Sequence, residues 1–134
     1  MIIVDASVMA NALVGDDRHG KQARAELARD PHWAGPEHMV AETFSTIRGL
    51  SLAGKIDGQR AHDAVTTLTN LTIELLSTQQ LLGRMWQLRD NVSGYDAAYA
   101  VAAETHGCPL VTADARLARA VNTICYVRLS AAAG

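Results

Sequence analysis

The sequence predicts an α/β fold, a sheet of five parallel strands with helices packed on it. Short apolar runs such as Ile2-Ile3-Val4 and Leu110-Val111-Thr112 alternate with longer segments of helical periodicity. Strands separated by helices pair in parallel through right-handed crossovers. The segment 97–103, Ala-Ala-Tyr-Ala-Val-Ala-Ala, is apolar on every side, which marks a helix enclosed by other elements. A length of 134 residues suits one domain, residues 1–134, with no repeat or linker.

Taken in order, Ile2 to Val4 forms the first strand, and Ser7 supplies a hydroxyl to cap a helix that runs to Val14 and stops at Gly15. A second helix spans about 18–29, with Ala23 and Leu27 spaced i, i+4 and Asp30-Pro31 breaking it. His32-Trp33-Ala34 is the second strand. The segment 37–52 sets Val40, Phe44 and Ile47 on one helical stripe and ends before Gly54. Asp57 caps a helix to about Leu68, and Thr72 to Leu75 is the third strand. A helix from Thr78 carries Leu81, Leu82, Met85, Trp86 and Leu88. The apolar helix around 97–103 ends at Gly107 and Pro109. Leu110 to Thr112 is the fourth strand, 114–122 a further helix, Ile124 to Val127 the fifth strand, and 130–134 a frayed tail. The all-apolar helix needs a cover, either from other helices or from a second subunit.

Composition narrows the function. No apolar run approaches the roughly 20 residues of a membrane span, and the first residues carry no basic leader, so a cytoplasmic protein is expected. Cys108 and Cys125 have no CxxC or His partner at zinc-finger spacing and are read as small buried hydrophobes. The five histidines show no HxxxH or HExxH pattern, and none is read as a catalytic base. Net charge is −2, but setting aside four candidate metal-binding acids leaves ten against 12 Lys and Arg. Ten of those 12 are Arg, whose planar fork grips phosphate, so an RNA partner is permitted.

Four acids stand out. Asp5 ends the first strand, at the sheet edge where open α/β folds bind ligands, although a capping Asp there is equally natural. Asp114 follows the fourth strand in the same way and taken alone reads as a helix cap. Asp96 closes Ser93-Gly94-Tyr95-Asp96, the form of a capping box, yet fronts a helix whose remaining surface is apolar. Glu42 points away from the Val40 stripe and by itself reads as solvent-facing. Strands one and four can be neighbours where the strand order reverses, which would bring Asp5 and Asp114 into one cleft. Clustered carboxylates repel unless a cation joins them, and oxygen ligands without Cys or His suit Mg²⁺ or Mn²⁺ rather than zinc.

Asp5-Ala6-Ser7 after an apolar strand, Ala41-Glu42-Thr43-Phe44, Ser93-Gly94-Tyr95-Asp96-Ala97-Ala98-Tyr99 and Leu110-Val111-Thr112-Ala113-Asp114 together resemble the PIN-domain pattern over residues 2–127. The small size and lack of further domains resemble VapC-type toxins. The resemblance implies a three-layer sandwich with strand order 3-2-1-4-5. It also implies an Mg²⁺- or Mn²⁺-dependent endoribonuclease cutting a defined site in structured RNA such as tRNA, a VapB-type antitoxin and a homodimer. Asp5, Glu42, Asp96 and Asp114 match its catalytic and metal-binding acids, and Thr112 and Ser7 match supporting polar positions. Some members carry a further acid after the fourth position, where this chain continues Ala115-Arg116-Leu117. Arg116 and Arg119, one turn apart, are candidate phosphate contacts.

Other chemistries fit less well. A phospho-acceptor signalling module calls for paired acids after the first strand and a Lys after the last, and this chain has one Asp and no Lys beyond Lys55. An aspartyl-nucleophile phosphatase calls for Asp-x-Asp where Asp5-Ala6-Ser7 stands. A non-catalytic PIN-like module binding RNA or protein is the remaining alternative.

Overall fold

The structure is a computed structural model and describes residues 1–130. Its strands are β1 (Ile2–Val4), β2 (Trp33–Pro36), β3 (Glu74–Leu76), β4 (Leu110–Thr112) and β5 (Val127–Leu129). All neighbours pair in parallel, in the order β3-β2-β1-β4-β5. The most apolar strands take the centre: β1 and β4 are buried throughout, whereas Glu74 and Leu75 of edge strand β3 are exposed.

The chain leaves β1 in one direction to build β2 and β3, then returns across the sheet to build β4 and β5. Right-handed crossovers therefore place the intervening helices on opposite faces. Helices α1 (Ala6–Val14), α2 (Arg18–Ala28), α3 (Met39–Leu52) and α4 (Gly58–Asn70) pack together as one layer. Helices α5 (Thr78–Gln87), α6 (Gly94–His106) and α7 (Ala115–Val121) form the other, with α6 against β1, β2 and β4. Among the described residues, no helix is long and apolar enough to cross a membrane.

Residues 97–103 of α6 are all buried, as their composition requires. Their cover comes from within the chain, since α5 and α7 pack along α6 while the sheet lies beneath it. Of the two covers the sequence allowed, other helices supply it. Gly107 ends α6 in the left-handed conformation, φ 59°, where glycine carries no Cβ penalty.

Several expectations shift. Met39, Thr43 and Ile47 are the buried residues of α3, and Phe44 is 47% exposed, so the stripe lies one position from the one expected through Phe44. Ser7 does not cap α1; Asp5 holds the capping position and Ser7 lies inside the first turn. β5 begins at Val127, not Ile124, because Leu110 pairs with Val127 while Ile124 and Cys125 still bond back to Val121 at the end of α7. β2 and β3 likewise start one and two residues later than expected. Of the expected tail, Ser130 is buried and donates its N–H to Thr112 O at 2.7 Å, and 131–134 lie outside the described residues. Cys108 and Cys125 are half-buried free thiols, and burial pushes Cys125 up to about 11.

Candidate active site

The strand order reverses between β1 and β4, and the two chains diverge there into α1 and α7. Asp5, the first residue beyond β1, stands in this crevice and is 7% exposed. Its backbone N–H still bonds Val111 O at 3.0 Å, so the ladder fixes the residue before its side chain turns outward. Asp5 Oδ2 accepts hydrogen bonds from Ser7 Oγ at 2.6 Å and Thr112 Oγ1 at 2.7 Å. Ser7 Oγ in turn accepts from Ala113 N at 3.0 Å, and Thr112 Oγ1 from Asp114 N at 3.0 Å. Both hydroxyls thus have their acceptor sides occupied and direct their protons at Asp5. Burial still wins over these bonds: desolvation, with a smaller contribution from Asp114, raises the Asp5 carboxyl above its ordinary value.

Asp114 works in two directions. Oδ1 accepts from the N–H groups of Arg116 and Leu117, capping α7, while Oδ2 lies 3.3 Å from the Arg116 guanidinium. The cap and site readings of this residue are compatible. Asp96 sits in the first turn of α6, but Ser93 makes the cap by accepting from Asp96 N at 3.4 Å. The Asp96 carboxylate turns instead to Arg116, 2.9 Å away. Arg116 therefore bridges two of the four acids, and its guanidinium pKa is raised by Asp96 first and Asp114 second.

Glu42 projects from α3 on the opposite wall. Its Oε1 accepts from the Tyr99 hydroxyl at 2.7 Å and lies 3.2 Å from His38 Nε2. The His38 contact is one of charge when the ring is protonated, without the alignment of a hydrogen bond. The His38 ring packs edge-on to Tyr99 and tilted against Tyr95, 5.1 Å from each. Burial pushes the Tyr99 phenol upward, with Asp5 and Glu42 adding to the shift, so it stays a hydrogen-bond donor. All four acids, with Ser7, line one cleft of about 600 Å³.

Comparison with protein families matches residues 2–122 to the PIN domain. This chain belongs to the PIN-domain family. Ribonuclease VapC9 of Mycobacterium tuberculosis is 34% identical over 127 residues, covering 95% of this chain and 96% of the relative. Ribonuclease VapC3 of the same organism is 34% identical over 119 residues, 89% of this chain and 86% of the relative. Within the family, then, the chain is of the VapC ribonuclease type. The crystal structure of Mycobacterium tuberculosis VapC20, described as a Sarcin-Ricin loop cleaving toxin, superposes with a TM-score of 0.65 at 18% identity. It covers 90% of this chain and 95% of that one, and it establishes likeness of fold.

The cleft of this PIN domain has the donor set of a hard divalent cation: carboxylate oxygens flanked by hydroxyls. As placed, no three of the described His, Cys, Asp or Glu side chains are gathered closely enough to hold an ion. The acids share a cleft rather than the tight cluster the sequence suggested. Arg116 accounts for part of this, since its guanidinium supplies the positive charge that Asp96 and Asp114 would otherwise lack. The residues fit a cation in charge and chemistry, with Arg116 standing where charge balance calls for one.

Thr112 is fully buried behind Asp5 and acts through it, as does Ser7. Arg119 is exposed on α7 and does not line the cleft, which separates it from Arg116. Two residues escaped sequence reasoning. His38 lacked any ligand spacing, and Tyr99 lay in an apolar run that reads as core. A Tyr at the only aromatic position of that run, with a hydroxyl to satisfy on burial, was the available signal.

Proposed function

We propose that this PIN domain is a toxin-type endoribonuclease that hydrolyses an RNA phosphodiester with Mg²⁺ or Mn²⁺. The observation that carries the reading is the meeting of Asp5, Glu42, Asp96 and Asp114, from four separate segments, in one cleft at the sheet's switch point. Asp5, Asp96 and Asp114 would hold the ion, and Glu42 a bridging water or a second ion. A bound divalent ion lowers the pKa of water and offsets charge on the phosphate.

The chain's own residues prepare this chemistry. Ser7 and Thr112 hold Asp5 in one orientation. Burial of Asp5 makes an uncompensated charge costly there and so favours a cation beside it. Tyr99 holds Glu42 across the cleft. Arg116, 64% exposed, is free at its outer side to meet a phosphate once a divalent ion takes over the acids. The substrate class is a defined site in structured RNA, such as a tRNA loop. The partners are a VapB-type antitoxin that covers the cleft and a second copy of the chain.

The test is incubation of total cellular RNA with the protein and Mn²⁺ or Mg²⁺, followed by mapping of RNA ends. A discrete cut with a 5′-phosphate and a 3′-hydroxyl is expected, because water rather than the neighbouring 2′-hydroxyl attacks. It should be lost with chelator and in folded Asp5→Ala and Asp96→Ala. A 2′,3′-cyclic phosphate end, or cleavage in excess chelator, contradicts the mechanism. Induction of the chain alone should arrest growth, and induction of Asp5→Ala should not.

A further inference from the structure

We propose that Tyr95 is the platform on which one unpaired base of the RNA stacks beside the cut bond; this rests on the ribonuclease reading of the cleft. Four aromatic side chains are prominently exposed among the described residues: Phe44, Trp86, Tyr95 and Tyr126. Exposure alone means little, because single exposed apolar side chains are ordinary. Position separates them. The Arg89 guanidinium lies 4.3 Å over the Trp86 ring, and Phe44 and Tyr126 line other grooves. Tyr95 alone lines the acidic cleft.

Tyr95 is 69% exposed, yet its ring is held. Its backbone lies in the first turn of α6, between the Ser93 cap and Asp96, and both Tyr95 and Asp96 line the cleft. The His38 ring, with its side chain only 17% exposed, braces the Tyr95 ring at 5.1 Å and a tilt of 48°. A braced ring loses little freedom when a base settles on it. Arg116, paired to Asp96, lines the same cleft, so one RNA strand entering it would meet Tyr95 with a base and Arg116 with a phosphate. Every base offers a π-face when unpaired, and none offers it freely inside a duplex. Tyr95 therefore selects a loop or splayed nucleotide over a paired one, and it sets register without reading base identity.

The experiment uses an RNA hairpin carrying a mapped cut site, with abasic residues placed one at a time around that site. Binding is measured at fixed salt in a non-cleaving Asp5→Asn background, comparing Tyr95, Tyr95→Ala and Tyr95→Phe. Tyr95→Ala should weaken binding about 5- to 150-fold, the usual range for one base–aromatic stack. Tyr95→Phe should bind like the parent. One abasic position should weaken the parent by a similar factor and add nothing to Tyr95→Ala. Unchanged binding by Tyr95→Ala, or additive losses at every abasic position, overturns the proposal. If the native chain makes no metal-dependent cut in any RNA, the ribonuclease reading fails and this proposal with it, a result separate from a cutting enzyme that is indifferent to Tyr95.

Discussion

The Tyr99 hydroxyl donates to Glu42 Oε1 at 2.7 Å, linking the buried core of α6 to the cleft wall on α3, 57 positions earlier in the chain. The Tyr99 hydroxyl oxygen also accepts the Ala6 N–H at 3.4 Å, so one phenol touches α1, α3 and α6. Hydrogen bonds to charged groups contribute about 1.5–3 kcal/mol. Tyr99→Phe keeps the ring and removes the hydroxyl, and it should destabilise the protein by roughly that amount in urea melts. Cleavage should fall as well, because Glu42 then loses the hydrogen bond that orients it, keeping only the His38 contact. Full stability with full activity would show that the link does neither.

Asp5 carries a cost that depends on pH. Its folded pKa is raised above the ordinary 3.8, so the folded chain binds the proton more tightly than the unfolded one. Its stabilising contribution is present below 3.8 and is lost as pH rises through the folded value. Asp5→Asn has no such titration. In chelator, the melting temperature of Asp5→Asn relative to the native chain should climb from acid pH upward and then level. Adding Mn²⁺ at about 100 times its dissociation constant should stabilise the native chain by about 2.7 kcal/mol. The Asn variant should respond far less. An equal metal response in both proteins would remove Asp5 from the ion site.

Arg116 pairs with Asp96 and Asp114, so on the proposed metal-dependent mechanism it would compete with the ion for both. Arg116→Gln should bind Mn²⁺ more tightly in calorimetry and RNA more weakly, with the salt slope of RNA binding reduced by about 1. Weaker Mn²⁺ binding would mean that Arg116 arranges the acids for the ion instead of opposing it.

Two glycines predict opposite outcomes for the same substitution. A Cβ on Gly20 would lie 2.2 Å from Gly15 O, a backbone atom that cannot move aside without separating α1 from α2. Gly20→Ala should cost about 1–3 kcal/mol. Gly83, inside α5, has nothing within 4 Å of the same position, and Gly83→Ala should stabilise by about 0.5–1 kcal/mol. Thermal melts of the two variants should move in opposite directions.

Much of the fold was legible because it rests on local rules. β-branched and apolar runs marked β1 and β4, and the apolar surface of 97–103 marked a buried helix. The boundaries of β5 were not legible. Ile124 to Val127 is suited to a strand by composition, but its start depends on where α7 releases the chain and on the register against Leu110. The Phe44 stripe failed for a related reason: α3 has two adjacent apolar faces, and periodicity does not say which one meets the core. Phe44 lines a groove between α3 and α4 instead.

The sequence by itself determined the layered α/β architecture and marked four candidate site acids, because strand ends, helix caps and carboxylates are written in short stretches of chain. Only the tertiary structure decided how those acids are held. Asp5 leans on Thr112 from another strand, Glu42 on Tyr99 from another layer, and Asp96 and Asp114 on one Arg116. These contacts join residues 20 to 107 positions apart, or form only because a helix start turns a side chain into the cleft. Hydrogen bonds and ion pairs act over a few ångströms of space, and the folded chain, not the order of its residues, sets which groups come that close.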